Sequence, residues 1–133
     1  MRFKYREYGD VMRPVIPVFL SYKDSIIYHE VLIDSGSDRC FFDTEIGDML
    51  GIERLDENDK EAFGIGGKKS SYYSHLVTII VGDVSYPIEA GFMPSVMGGM
   101  ASYGLAGQKG FFDKFTVKFN LQKNEIEVNE AKK

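Results

Sequence analysis

The 133-residue chain holds one cysteine and two histidines, and nowhere an apolar run near the ~20 residues that cross a membrane. Cys40 alone closes no disulfide within the chain and leaves no Cys-rich metal motif. His29 and His75 lie far apart in sequence, so neither a zinc site nor any other metal or cofactor is expected. The first residues, MRFKYREYGD, are charged and have no apolar signal-peptide core. Charge of one sign is lacking too. Sixteen Lys and Arg face 20 Asp and Glu, the net is -4, and no single-sign block exists, which argues against a nucleic-acid footprint. Repeats, low-complexity tracts and linkers are missing. The expectation is a soluble, cytoplasmic protein of one domain over residues 1–133, with no nucleic-acid or membrane partner.

Helical signal is scarce as well, and apolar alternation dominates in its place. PVIPVFLSY (14–22) and SIIYHEVLI (25–33) read as strands joined at Lys23-Asp24. Pro14 and Pro17 place the first at an edge or a strand start, because proline cannot donate to a ladder. HLVTIIV (75–81) and VSYPIEAGF (84–92) flank Gly82-Asp83, a pair suited to a type II′ hairpin turn. FTVKFN (115–120) alternates, and IEV (126–128) returns after a polar turn. One short helix fits 44–50, capped by Asp43 or Thr44, with Ile46, Met49 and Leu50 on one face and Gly51 as a left-handed C-terminal cap. A second helical turn fits 108–115. Many short strands, little helix and fourteen glycines predict an all-β fold, a small barrel or sandwich.

Several familiar patterns fail on spacing. FGIGGKKSS (63–71) would need a glycine where Ala62 stands and Ser or Thr at Lys69 to be a phosphate loop, so a hairpin tip is the simpler reading. Ser102 in MASYG lacks the leading glycine of a nucleophile elbow, since Met100 is there. The histidines read as strand residues and Cys40 as a small buried hydrophobe.

One stretch resists a bland reading. In VLIDSGSDRCFFDTEIGDMLGI (31–52), three apolar residues run straight into Asp34 on a Ser-Gly turn. Burying an isolated carboxylate is costly, so Asp34 is either a solvated turn residue or a group the fold needs there. A capped helix follows within ten residues, a Gly-rich hairpin about 30 positions later, and then LAGQKGFFDKFTVKFN (105–120).

This arrangement resembles the retropepsin-like aspartic peptidases, single-lobe relatives of pepsin, and is most similar to their prokaryotic members. LIDSGSD (32–38) is similar to the family's catalytic loop, Asp-Thr/Ser-Gly-Ala/Ser, and AFGIGG (62–67) to its flap tip. Leu105-Ala106-Gly107 stands where the family has two hydrophobes and a glycine, with Ala106 smaller than the usual Leu or Ile. Residues 92–103 have no counterpart.

The resemblance implies a closed acid-protease β-barrel with one or two short helices, assembled as a two-fold homodimer that cuts a peptide or protein substrate. Because the chain has a single Asp-Ser-Gly, each protomer would give one Asp34 to a shared site. The two carboxylates would share a proton, one activating water and the other polarising the scissile carbonyl. Ser35 would lock the two loops together across the axis, and Gly36 would shape the turn. Ser37 would bond beside the carboxylate, and Ile65, Gly66 and Gly67 would close over substrate. Two other readings stay open at this stage: a non-catalytic peptide-binding or dimerisation module of the same fold, and an unrelated barrel whose Asp34 is only a turn residue.

Overall fold

The computed structural model describes residues 1–53, 59–63, 67, 69–94 and 103–132. It is built from strands and one short helix. In chain order these are β1 (Arg2–Phe3), β2 (Arg6–Tyr8), β3 (Val11–Arg13), β4 (Val15–Tyr22), β5 (Ser25–Ile33), β6 (Phe41–Asp43), α1 (Thr44–Leu50) and β7 (Asp59–Phe63). There follow β8 (Lys69–Val81), β9 (Val84–Met93), β10 (Gly104–Ala106), β11 (Phe115–Asn120) and β12 (Glu125–Glu130).

The strand order β4-β5-β10-β6-β9-β8 closes on itself, because β8 pairs back to β4 through Phe19↔Ile80, Leu20↔Ile79 and Ser21↔Thr78. Six strands therefore form a closed barrel, which leaves few bare edges. Closure puts one face of every strand inside. Ile16, Val18 and Leu20 of β4 are buried with Val77 and Ile79 of β8 and Ile88, Ala90 and Phe92 of β9. Phe42 and Phe92 lie with ring centroids 6.1 Å apart, and Tyr73 stacks on Phe92 at 5.2 Å. Each of the Val, Leu, Ile and Phe side chains among them contributes roughly 1.5–3 kcal/mol by leaving water.

The expected hairpins form. Gly82 takes φ 62, while Asp83 is not among the positive-φ residues, the signature of a II′ turn. Lys23, at the β4–β5 turn, takes φ 52. Pro17 lies opposite Glu30 in the part of β4 that pairs with β5 but not with β8, so its missing N–H costs no second ladder.

Helix α1 runs as the caps demand. The Asp43 side chain accepts from the Glu45 N–H at 3.0 Å, and Gly51 ends the helix at φ 81. Its buried face, however, is Ile46, Gly47 and Leu50, and Met49 is 62% exposed. Gly47 replaces Met49 on that face because the Tyr73 hydroxyl closes in where a side chain would sit, 2.2 Å from a Cβ built there. Residues 111–114 form turns, with Phe112 N donating to Gly107 O at 3.1 Å and Phe115 N to Phe111 O at 2.8 Å. Among the described residues there is thus one α-helix.

Three short N-terminal strands were not expected from the sequence. β2 and β3 form a hairpin around Gly9-Asp10, the same dipeptide that turns β8 into β9. Arg6 pairs with Glu30 of β5, and Arg13 donates to the Tyr103 hydroxyl, which pins the hairpin to the barrel. β1, β12 and β11 form a separate three-stranded sheet.

Two features of this topology position a site. β5 and β10 are parallel and in register, Val31↔Gly104 to Ile33↔Ala106, so the chain leaves both at the same level. And β8 outruns β9: residues 69–72 lie beyond the β8–β9 pairing, which begins at Tyr73↔Phe92, and are held instead by β7. The β7–β8 hairpin therefore extends past the β9 ladder. Among the described residues, no helix is long and apolar enough to cross a membrane.

Candidate active site

Where β5 and β10 end together, residues 34–40 and 107–110 run side by side as two loops. Asp34 N donates to Ala106 O at 2.9 Å, Gln108 N to Ser37 O at 2.8 Å, Lys109 N to Asp38 O at 2.9 Å, and Cys40 N to Lys109 O at 3.2 Å. The Gln108 side chain adds a bond from Nε2 to Ser35 O at 2.6 Å. A loop that would be free in an isolated turn is thus tied down by backbone bonds from the neighbouring strand's end.

Within that frame the Asp34 loop is an Asx turn over a β-turn. Gly36 N donates to Asp34 Oδ1 at 2.9 Å, and Ser37 N donates to Asp34 O at 3.1 Å. A Cβ at Gly36 would lie 3.2 Å from that same Oδ1, so a side chain there would crowd the carboxylate. Asp34 is half-buried, and among the described residues no Lys or Arg lies within ion-pair distance of it. Among the described residues its carboxylate has one partner, the Gly36 N–H on Oδ1, and none on the other oxygen.

The remaining predicted residues are placed as follows. Ser35 is exposed, and among the described residues its hydroxyl makes no hydrogen bond. Ser37 Oγ donates to Arg39 O at 2.8 Å, so it braces the loop's own backbone and not the carboxylate. Gly67 has φ 77 and is exposed, while Ile65 and Gly66 lie outside the described residues. So do Ser102 and most of residues 92–103. Ala106, small for its position, is fully buried in the barrel core, where Ile33, its register partner, is also buried.

Sequence reasoning missed Arg39, Gln108 and Lys109. Arg39 forms a parallel bridge with Lys109, and its guanidinium lies 5.5 Å from the centroid of the Tyr72 ring on β8. The signal was available in principle, since Gln108 and Lys109 directly follow the glycine of the 105–107 element. No group of three or more His, Cys, Asp or Glu among the described residues could hold a metal ion.

Cys40, at the end of the loop, is fully buried, and burial pushes its thiol up to about 12. At pH 8 the native thiolate fraction is then on the order of 10⁻⁴, against about a quarter for a free cysteine. Alkylation by iodoacetamide is therefore expected to be at least ~10³-fold slower in the native protein than in urea. Mass spectrometry of timed samples checks this, and equal rates would mean that the loop end is open.

No family model and no curated protein matches the chain. Solved structures do. A retropepsin-like aspartic protease from Rickettsia conorii superposes with a TM-score of 0.64 over 97% of this chain and 98% of that one, at 10% identity. EIAV protease, complexed with the inhibitor HBY-793, superposes with a TM-score of 0.55 over 77% of this chain and 88% of that one, at 20% identity. Identities this low speak to architecture alone. The closed barrel, the paired loops at the ends of β5 and β10 and the long β7–β8 hairpin together make this the fold of the retropepsin-like aspartic proteases.

Proposed function

We propose that the protein is a homodimeric aspartic endopeptidase whose active site is completed by a second copy of the chain. The observation that carries this reading is the state of Asp34. A half-buried carboxylate, oriented by Gly36 N and without a cation among the described residues, sits at the end of an apolar strand. A stability role would call for a Lys or Arg beside it, or for full solvation. A partner Asp34 across a two-fold axis meets the need differently. Two carboxylates that close cannot both be ionised comfortably, so the pair holds one proton and titrates as a unit.

The chemistry then follows without metal or nucleophilic side chain. The ionised member takes a proton from the bound water as that water attacks the scissile carbonyl. The protonated member donates to the carbonyl oxygen and stabilises the developing oxyanion. Ser35, whose exposed hydroxyl makes no hydrogen bond among the described residues, bonds the partner loop, while Gly36 keeps space beside the carboxylate. The β7–β8 hairpin, whose two strands Ile65, Gly66 and Gly67 connect in sequence, supplies backbone groups to an extended peptide and excludes water. Support for the hairpin's role is its reach beyond β9.

Sedimentation and peptide hydrolysis test the reading together. A dimer by analytical ultracentrifugation, with cleavage of a mixed peptide library that is faster at acidic than at neutral pH, is the expected outcome. A monomer at all concentrations with no cleavage would remove it. A dimer that binds peptides without turnover would instead favour a non-catalytic module.

A further inference from the structure

A surface pocket of about 450 Å³ lies beside the Asp34 loop, lined by Arg39, Lys60, Lys109 and Lys114 together with Glu89 and Asp113. Its charges do not cancel. Glu89 accepts from Ser74 Oγ at 2.9 Å and pairs with Lys60 at 3.4 Å, so Lys60 is matched. Asp113 Oδ1 is taken by Gly110 N at 3.0 Å. Among the described residues, Arg39, Lys109 and Lys114 have no ion-pair partner. Four cations against two carboxylates leave an excess of two positive charges, on a chain whose net charge is -4. A local positive concavity on an acidic protein is not a by-product of its overall field.

Position gives the excess a use. Arg39 stands five residues after Asp34, on the same loop, and Lys109 donates its N–H to Asp38 O. Across the pocket, Lys60 lies on β7 opposite Tyr72 of β8, the ring that carries the Arg39 guanidinium. The pocket therefore joins the loop that bears Asp34 to the base of the β7–β8 hairpin. A peptide laid between that loop and that hairpin passes its mouth. Arg39 lies over an aromatic ring and, among the described residues, pairs with no carboxylate, which leaves its fork of N–H donors to take one.

We infer that this pocket is a subsite for an acidic side chain, and that the protein selects peptides carrying Asp or Glu within a few residues of the bond it cuts. The inference rests on the peptidase reading.

The test uses peptide pairs differing only by Glu against Gln, the substitution being moved through each position within four of the cleaved bond. At one position the Glu peptide is expected to be cleaved about tenfold faster in kcat/KM, with the preference falling as salt rises. Two double variants, Arg39→Met with Lys109→Met and Lys109→Met with Lys114→Met, should each bring that ratio towards one. Thermal melts verify that both are folded, and the second leaves the Arg39–Tyr72 contact in place. A ratio near one at every position in the wild type overturns the inference, as does a ratio that both variants preserve. Where no peptide is cleaved, fluorescence anisotropy of the labelled pair with the same protein decides. Glu-dependent binding lost in the variants keeps the pocket and removes the peptidase reading; binding that ignores Glu removes the pocket.

Discussion

Asp34→Asn is expected to abolish peptide hydrolysis while leaving the protein folded and dimeric. The size of the loss follows from the chemistry. An asparagine pair can neither accept the proton from water nor cycle a shared proton, and groups that act as a unit lose most of the catalytic factor when one fails. A fall in kcat of at least ~10³-fold is therefore expected. The fold has little reason to notice. Asp34 Oδ1 accepts one hydrogen bond, from Gly36 N, and the amide oxygen of Asn accepts the same bond. No described cation is left unpaired by the change, and the loop is tied down by backbone groups of residues 106–109 that the substitution does not touch. The stability change should stay within about 1 kcal/mol. Cleavage assays beside thermal melts measure both quantities. Wild-type turnover in the variant would end the enzymatic reading, whereas a loss of activity accompanied by unfolding would show that Asp34 is structural.

The contrast between what the sequence announces and what it hides has a physical cause. Strands β4, β5, β8, β9 and β11 are legible because each buries one face or is bounded by turn chemistry, so period-two alternation and the Gly82-Asp83 pair mark them. Helix α1 is legible from its caps, Asp43 and Gly51, more than from its face: Met49 fits the apolar spacing yet is exposed, because Gly47 admits the Tyr73 hydroxyl instead. Elements of two or three residues carry no periodicity. β2, β3 and β10 exist through their partners, and only tertiary pairing reveals them.

The candidate site divides in the same way. Asp34 declares itself because a carboxylate ending an apolar strand conflicts with burial, and a local conflict of that kind marks a site. Its frame does not. Nothing within residues 34–40 says that Gln108 will bond Ser35 O, a contact set by the parallel β5–β10 pair, or that Arg39 will lie over the ring of Tyr72 on β8, a contact set by closure of the barrel. The bracing of Ser37 onto Arg39 O, where a bond beside the carboxylate was expected, has the same origin: the loop's backbone needs the hydroxyl once residues 107–110 have fixed its path.

That dependence of the site on a distant strand end makes Gly107→Ala the most damaging single methyl available in the loop pair. A Cβ at Gly107 would lie 2.3 Å from Arg39 O and 2.5 Å from Ser37 O, far inside van der Waals contact, and both obstacles are backbone. Rotamer changes cannot relieve such a clash. The two loops must separate by roughly 1 Å, and the bonds that cross between them, Gln108 N to Ser37 O at 2.8 Å and Lys109 N to Asp38 O at 2.9 Å, are the ones that stretch. Overpacking of this kind against backbone, with loss of the bonds between the loops, costs about 3–5 kcal/mol. Because the same bonds hold the loop that carries Asp34, activity should fall even in the fraction that stays folded. Gly51→Ala separates this effect from the ordinary cost of replacing a glycine. Gly51 has φ 81 with nothing within 4 Å of a built Cβ, so its substitution strains the backbone by about 1 kcal/mol and leaves the Asp34 loop alone. Urea denaturation of both variants should therefore show a far larger drop for Gly107 than for Gly51, with cleavage lost only in the former. Equal midpoints for the two variants would mean that the loops do not approach as described, and that Asp34 is positioned by something other than the end of β10.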